Sequence, residues 1–307
     1  MRTAYLNKLY ELAQKDKNVL SLVADNGMIV YDDFRENMPE QYFNFGISEG
    51  HMVTAAAGMA SCGKIPFVYT ISSFLAYRAY EFIRVDVCLQ NLNVKIVGIG
   101  SGVSYGYLGP THHATEDIPL LRSLPNLTIF SPGSPIEAKK AIETAYEING
   151  PVYVRLGTNG EREIHDEDFS FKMGKGAIIQ EGSDICLITT GAIIDEVIQA
   201  ATMLQRDGLS VKVVSMHTLK PFDEDMIISL AEHFDEIYTI EEHTIVGGLG
   251  GIVAEIIANY GLDLRLRMIG LLDRFAVGYG TIQEVRIQNG LDAKSIYMKI
   301  VDNMNKV

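Results

Sequence analysis

The chain is expected to fold as an α/β protein with two doubly wound domains, a parallel-sheet domain followed by a smaller α/β domain. Three observations predict this. Apolar runs of strand length alternate with helix-length amphipathic stretches along nearly all 307 residues, and such alternation implies a parallel sheet covered on both faces. The alternation lapses once, from Gly157 to about Gly182, into a polar connection holding Asn159-Gly160 and His165-Asp166-Glu167-Asp168. The composition, 47% hydrophobic and 21% charged, is that of an ordinary globular chain long enough for two cores. The division is drawn as 1–160, a linker at 161–182 with a short strand near 176–180, and 183–307.

Leu6, Leu9, Tyr10 and Ala13 fall at helical spacing and predict a helix over 4–14. The apolar run from Val19 to Ala24 predicts a buried strand ending at Asp25-Asn26-Gly27. Tyr42-Phe43-Asn44-Phe45 followed by Gly46-Ile47-Ser48-Glu49 reads as a strand running into a helix start, with Ser48 as N-cap and Glu49 in the first turn of a helix to 61. Next come a strand at 66–70, a helix at 73–92, a strand at 94–99, a glycine-rich loop at 100–113, and a short helix at 116–124. A strand at 127–130, a helix at 135–149 and a strand at 152–156 complete the first half. The second half repeats the pattern, with strands at 185–189, 211–214, 236–240 and 264–268 and helices at 193–206, 224–232 and 249–259. Ligands of such sheets bind outside the carboxyl ends of the strands. Asp25, Thr70, the 100–113 loop and Arg155 therefore gather along one edge.

A formal net charge of −13 argues against a nucleic-acid or anionic-membrane surface, since both repel an acidic field. Anionic substrates would need local basic residues. Cys62, Cys88 and Cys186 are odd in number, widely spaced and set in apolar stretches, which disfavours a disulfide frame or a zinc site. The first residues carry no apolar secretory core, and no apolar run reaches the ~18 residues needed to span a bilayer, so a cytoplasmic protein is expected.

Several residues could carry chemistry. Glu49 in a first turn is usually only a favourable charge against the helix dipole. Phe74, Phe82, Val85 and Leu89 stand at i, i+8, i+11 and i+15, a core-facing stripe, and Arg78 falls on it. A guanidinium there needs an internal acid, Asp86 or Glu49, or a ligand. Phe74, Tyr77 and Tyr80 could be plain core or an aromatic wall. The loop Gly98-Ile99-Gly100-Ser101-Gly102-Val103-Ser104-Tyr105-Gly106-Tyr107-Leu108-Gly109-Pro110-Thr111-His112-His113 has five glycines before its proline. It cannot exist for packing, and long loops after strands are where sites are built. It lacks the Gly-Lys-Ser/Thr ending of a phosphate loop. His112 and His113 are adjacent and point different ways, which favours helix capping by Thr111 or Thr115 with one histidine free for acid–base work over a metal. Arg155, ending a strand, suits either an anion anchor or a salt bridge. His243 is expected to hold a loop and helix start together.

Together these segments resemble the transketolase family of thiamine diphosphate enzymes, specifically its pyrimidine-binding and C-terminal domains. The resemblance rests on Gly46-Ile47-Ser48-Glu49, Ser73-Phe74-Leu75 with Arg78-Ala79-Tyr80, Gly109-Pro110-Thr111-His112-His113-Ala114-Thr115-Glu116-Asp117, Leu121-Arg122-Ser123-Leu124-Pro125-Asn126, Val152-Tyr153-Val154-Arg155-Leu156, and Glu241-Glu242-His243 with Gly247-Gly248-Leu249-Gly250. It implies that Glu49 hydrogen-bonds the aminopyrimidine ring nitrogen and favours the imino tautomer. It further implies an aromatic wall of Phe74, Tyr77 and Tyr80, with Tyr77 at the stacking position. Asp25 would lie near the thiazolium, His112 would exchange a proton with the substrate oxygen, and Arg2, Arg78 and Arg155 would contact substrate.

The family binds the diphosphate and its divalent metal, Mg2+ or another, through a Gly-Asp-Gly motif in a separate N-terminal domain, and no Gly-Asp-Gly occurs here. No metal ligands are assigned to this chain. The resemblance is thus to the C-terminal subunit of a split transketolase, which implies an N-terminal partner subunit and an α2β2 assembly. Leu108 replaces an acid that reads a sugar hydroxyl, Gly100 lies near a donor-contacting histidine position, and Ile29 stands for a phosphate-binding serine. These departures leave open a specialised sugar (phosphate) substrate, a 2-oxo-acid enzyme such as deoxyxylulose-phosphate synthase or a dehydrogenase beta subunit, or a non-catalytic regulatory subunit.

Overall fold

The computed structural model describes residues 1–26, 28–158 and 160–305. The side chains of Met28 and Ile29 lie outside that description, so the expectation placed on Ile29 does too, as do those on Gly27 and Asn159.

The first sheet is built from β1 (Val19–Val23), β2 (Tyr42–Asn44), β3 (Ile65–Ile71), β4 (Lys95–Ile99), β5 (Thr128–Phe130) and β6 (Val152–Leu156), all parallel to their neighbours. Every residue of β1, β4 and β6 is buried, as unbroken apolar strands covered on both faces must be. On one face lie α1 (Arg2–Lys15) and α6 (Pro135–Glu147), which bring Tyr5, Leu9, Ala138 and Ile142 against Val19, Phe67 and Val154. The small helix α2 (Asp32–Asn37) sends Phe34 into the same layer. On the other face α3 (Glu49–Ser61), the short α4 (Tyr80–Phe82) and α5 (Asp117–Arg122) surround a core of Met52, Val53, Leu75, Ile83 and Ile118.

In the second half β7 (Ala177–Gln180), β8 (Ile185–Thr190), β9 (Val211–Ser215), β10 (Thr218–Lys220), β11 (Glu236–Thr244) and β12 (Arg265–Leu271) are joined by α7 (Ile194–Arg206), α8 (Glu224–Ala231) and α9 (Leu249–Tyr260). They are followed by α10 (Ile282–Asn289) and α11 (Ala293–Met304). Five of these strands form a sheet in the order β12-β11-β8-β9-β7, in which only β7 runs antiparallel to its neighbour. β10 leaves that sheet and pairs antiparallel with β5, so the first sheet reads β10-β5-β6-β4-β3-β1-β2. Cys186, Ile188, Val214 and Leu249 share one continuous core with Val53 and Ile118. Among the described residues no helix is long and apolar enough to cross a membrane.

The helix expected over 73–92 differs in kind. Phe74–Arg78 and Ile83–Cys88 are π-wound, with the three residues of α4 between them. Wider winding shifts which side chains share a face, so the core receives Leu75, Ala76, Ala79, Ile83, Val87 and Cys88. The expected core stripe instead turns outward, and Leu89 is 74% exposed with Phe82 and Val85 also on the surface.

Candidate active site

The carboxyl ends of the first sheet deliver the site. β1 leads to Asp25, β2 to Glu49, β3 to Phe74, β4 to the glycine-rich loop, and β6 contains Arg155. Glu49 opens α3 and is only 2% exposed. Ser48 takes the N-cap place without a side-chain cap bond. Nη1 of Arg78 donates to Glu49 Oε2 at 3.0 Å, and the same guanidinium lies 4.7 Å over the Phe74 ring. The internal acid is therefore Glu49 rather than Asp86, which accepts from Thr54 Oγ1 at 2.7 Å. Arg78, expected to contact substrate, is paired with Glu49, and its side chain is 54% exposed.

His112 is held by rings. Phe74 meets it edge-on at 5.0 Å and Tyr105 at 6.3 Å, while Thr111 Oγ1 lies 2.9 Å from its Nδ1. Thr111 thus touches the histidine instead of capping a helix. Thr115 does not cap either, because α5 begins after Glu116 and Thr115 Oγ1 donates to the Glu116 carboxylate at 2.6 Å. Tyr77 and Tyr80 lean away from Phe74 toward α5. The Tyr77 hydroxyl donates to Glu116 Oε2 at 2.8 Å and accepts from Glu116 N at 3.0 Å, and Tyr80 Oη lies 3.4 Å from Ser123 Oγ. Burial raises the Tyr77 pKa, and the Asp117 and Glu116 carboxylates push it the same way. Tyr77 is therefore a neutral donor at ordinary pH.

Asp25 sits at positive φ, 50°, a strained place for a residue with a side chain. Asn44 holds it there, accepting from Asp25 N at 3.1 Å and donating to Asp25 Oδ1 at 3.3 Å. The same Asn44 oxygen accepts from Gly46 N at 2.9 Å. Asn44 ties Asp25 to the turn before Glu49, and nothing in its sequence setting announced that. Arg2 opens α1, and its backbone N donates to the Thr158 carbonyl at 3.0 Å, just past the end of β6.

Arg155 requires a correction. It stands at the strand end as expected, but its guanidinium is buried: Nε donates to Asp117 at 2.9 and 3.1 Å, and Nη2 to the Ala114 carbonyl at 2.9 Å. Tyr153 Oη donates to the same carboxylate at 2.7 Å. This is the salt-bridge alternative, and Arg155 is 2% exposed. Close by, His243 accepts from Ile118 N at 3.3 Å through Nε2 and places Nδ1 2.7 Å from the Thr244 carbonyl. Burial lowers its pKa to about 4, so it is a neutral linker joining β11 to α5. It does the holding expected of it, but across the two halves. The start of α9 is instead capped by Glu241, which accepts from Leu249 N at 2.7 Å and Gly250 N at 2.9 Å. His113 is buried, and neither ring nitrogen has a partner among the described residues. Among those residues no group of three or more His, Cys, Asp or Glu gathers where it could hold a metal ion.

Residues 1–160 match the family model described as transketolase, pyrimidine binding domain, and residues 174–296 that described as transketolase, C-terminal domain. Over 99% of its length the chain is 34% identical to one of the apulose-4-phosphate transketolase subunits of Phocaeicola vulgatus, 97% of which is covered. It is 36% identical over 97% of its length to 1-deoxy-D-xylulose-5-phosphate synthase of Syntrophotalea carbinolica, of which it spans 47%. A split-gene transketolase solved as an inactive β4 tetramer matches with a TM-score of 0.88 at 34% identity, covering 98% of this chain and 96% of that one. Two mostly parallel α/β layers joined in this order define the class of pyrimidine-binding and C-terminal domain pairs. The chain belongs to the transketolase family.

Proposed function

We propose that this chain is the pyrimidine-side half of a two-subunit, thiamine diphosphate-dependent transketolase that moves a two-carbon ketol unit from a ketose to an aldose. The observation that carries the reading is the buried Glu49 carboxylate at a helix start, joined through Arg78 to the Phe74 ring, which in turn meets His112. Residues 1–160 would hold the reacting side and 183–307 would support it. The donor set suits a flat nitrogen heterocycle: an acid for a ring nitrogen, aromatic faces beside it, and Asp25 held in a strained turn close by. When bound, thiamine diphosphate supplies the carbon nucleophile and electron sink that ketol transfer needs.

This chain's residues do the rest. Glu49 would hydrogen-bond the pyrimidine ring nitrogen of the bound cofactor, and Arg78, whose side chain is half exposed, would swing aside to free it. His112, fixed between Phe74 and Tyr105, gives and takes a proton at the substrate oxygen. Tyr77 fixes the wall through Glu116. The diphosphate and its divalent ion are assigned to an N-terminal partner subunit, a reading supported by the absence of Gly-Asp-Gly and by the relative described as an inactive β4 tetramer. In the reconstituted complex, Glu49→Gln should lower turnover more than 100-fold, on the order expected for a lost acid–base group. Unchanged turnover would refute the mechanism. A second reading, condensation with a decarboxylating 2-oxo acid, is favoured by Leu108 before Gly109-Pro110-Thr111-His112 and by the 1-deoxy-D-xylulose-5-phosphate synthase relative. Pyruvate consumption with carbon dioxide release by the complex would select it.

A further inference from the structure

We propose that the second half of the chain is a brace that positions His112, acting through Glu242, Gly280 and Tyr279 on the glycine-rich loop. That His112 is catalytic rests on the function proposed above; the brace itself rests on three contacts spaced along the loop. At the first, Val103 N donates to Glu242 Oε1 at 2.8 Å. Glu242 is buried and held by Arg286 of α10, whose Nε donates to Oε2 at 2.5 Å and whose Nη1 reaches Glu196 at 3.4 Å. At the second, Gly280 N donates to the Gly106 carbonyl at 3.4 Å, and a Cβ on Gly106 would stand 2.6 Å from the Gly280 oxygen and 3.1 Å from Val285 Cγ2. At the third, the Tyr279 ring covers Gly109, where a Cβ would collide with Cε1 of that ring. Gly109 is one hydrogen bond from the histidine, since its carbonyl accepts from His112 N at 2.9 Å.

The loop needs such support. Gly100, Gly102 and Gly109 all sit at positive φ, and Tyr107 and Leu108 point into solvent, so apolar burial does little to fix the segment before His112. The brace is itself rigid. Thr281 and Glu284 form a reciprocal capping box at the start of α10, and Asn289 clasps Val277 through both its backbone groups at 3.0 and 2.9 Å. Tyr279 and Gly280 therefore lie between two fixed points. Glu242, Tyr279 and Gly280 are positioning residues, since none of them touches His112.

Gly106→Ala tests this directly, because Gly106 does not need a left-handed backbone and the new methyl must push the Gly280 carbonyl away. Tyr279→Ala is the second variant, safe for folding because the ring is largely exposed, with Tyr279→Phe as the conservative control. Expected for Gly106→Ala and Tyr279→Ala are amide exchange over residues 104–112 about tenfold faster or more, and a His112 ring-proton shift that loses its ring-current displacement from Phe74 and Tyr105. In the reconstituted complex kcat should fall by roughly 10- to 100-fold with thiamine diphosphate affinity unchanged, as for a slightly misplaced catalytic group; Tyr279→Phe should behave as the parent. Folded variants with parental exchange and shift would overturn the brace, as would a loosened loop with parental kcat where His112→Gln lowers kcat. His112→Gln, run in the same assay, separately decides whether that histidine is catalytic, while the exchange and shift measurements judge the brace either way.

Discussion

Glu49 and Arg155 show how differently two charged residues at one sheet edge can be employed. Among the described residues Glu49 has one cationic partner, and that partner is half in water, so the Glu49 carboxylate can be released to something else. Arg155 is enclosed with Asp117, Tyr153 and a backbone carbonyl, and both members of the ion pair are buried. Breaking a buried pair from one side leaves the other charge unpaired, so Asp117→Asn should cost about 3–5 kcal/mol. Urea unfolding of the variant checks this, and a loss below about 1 kcal/mol would show that the pair is not the anchor of α5. That Arg155 sits at the strand end was legible from the apolar run before it. Its partner was not, because Asp117 is 38 positions away in the chain and only the fold sets them face to face.

At the scale of elements, the strand-helix alternation was readable because burial on two faces leaves unbroken apolar runs, and β6 and α3 have the expected bounds. The π-wound segment was not readable, since apolar spacing assumes the α period, and the outward Phe82 and Leu89 follow from that. β10 escaped because three residues paired antiparallel to a distant strand carry no period of their own. Of the site, Glu49, Phe74 and His112 could be picked out beforehand, whereas Asn44 and Glu242 act through contacts only the folded chain makes. The end of β11 yields a pH prediction. Burial lowers the His243 pKa from 6.5 to about 4 and raises that of Glu241 from 4.5 to about 7. As pH falls from 6.5 toward 4, the unfolded chain takes a proton that folded His243 refuses, a loss of about 3 kcal/mol; Glu241 does the reverse between 7 and 4.5, gaining about 3 kcal/mol. The two oppose each other. Glu241→Gln should therefore lose stability more steeply on acidification from pH 6.5 to 4.5 than the parent, and parallel urea-midpoint curves would disprove the compensation.

At the scale of the whole molecule, Phe82, Val85 and Leu89 form an exposed apolar face on α4 and the π-wound turn after it, with part of the Phe82 ring against Gly50. Such a face on an otherwise acidic surface is where a self-associating chain would bury area. Replacing Val85 and Leu89 with glutamate should leave thermal unfolding almost unchanged, because both side chains are exposed, while sedimentation velocity shifts to smaller species. A parental sedimentation profile would show that this face carries no self-association. The strand β10 has a further consequence for how the molecule comes apart. It hydrogen-bonds to β5 through Thr218 and Lys220, and Lys220 also reaches the Leu124 and Arg122 carbonyls at the end of α5. Neither half can melt while its neighbour stays intact without baring a sheet edge or a row of carbonyls, so cooperativity spans both sheets. Calorimetry should show one endotherm for the whole chain, and an isolated 1–160 fragment, with the β5 edge open, should aggregate as uncapped strands do.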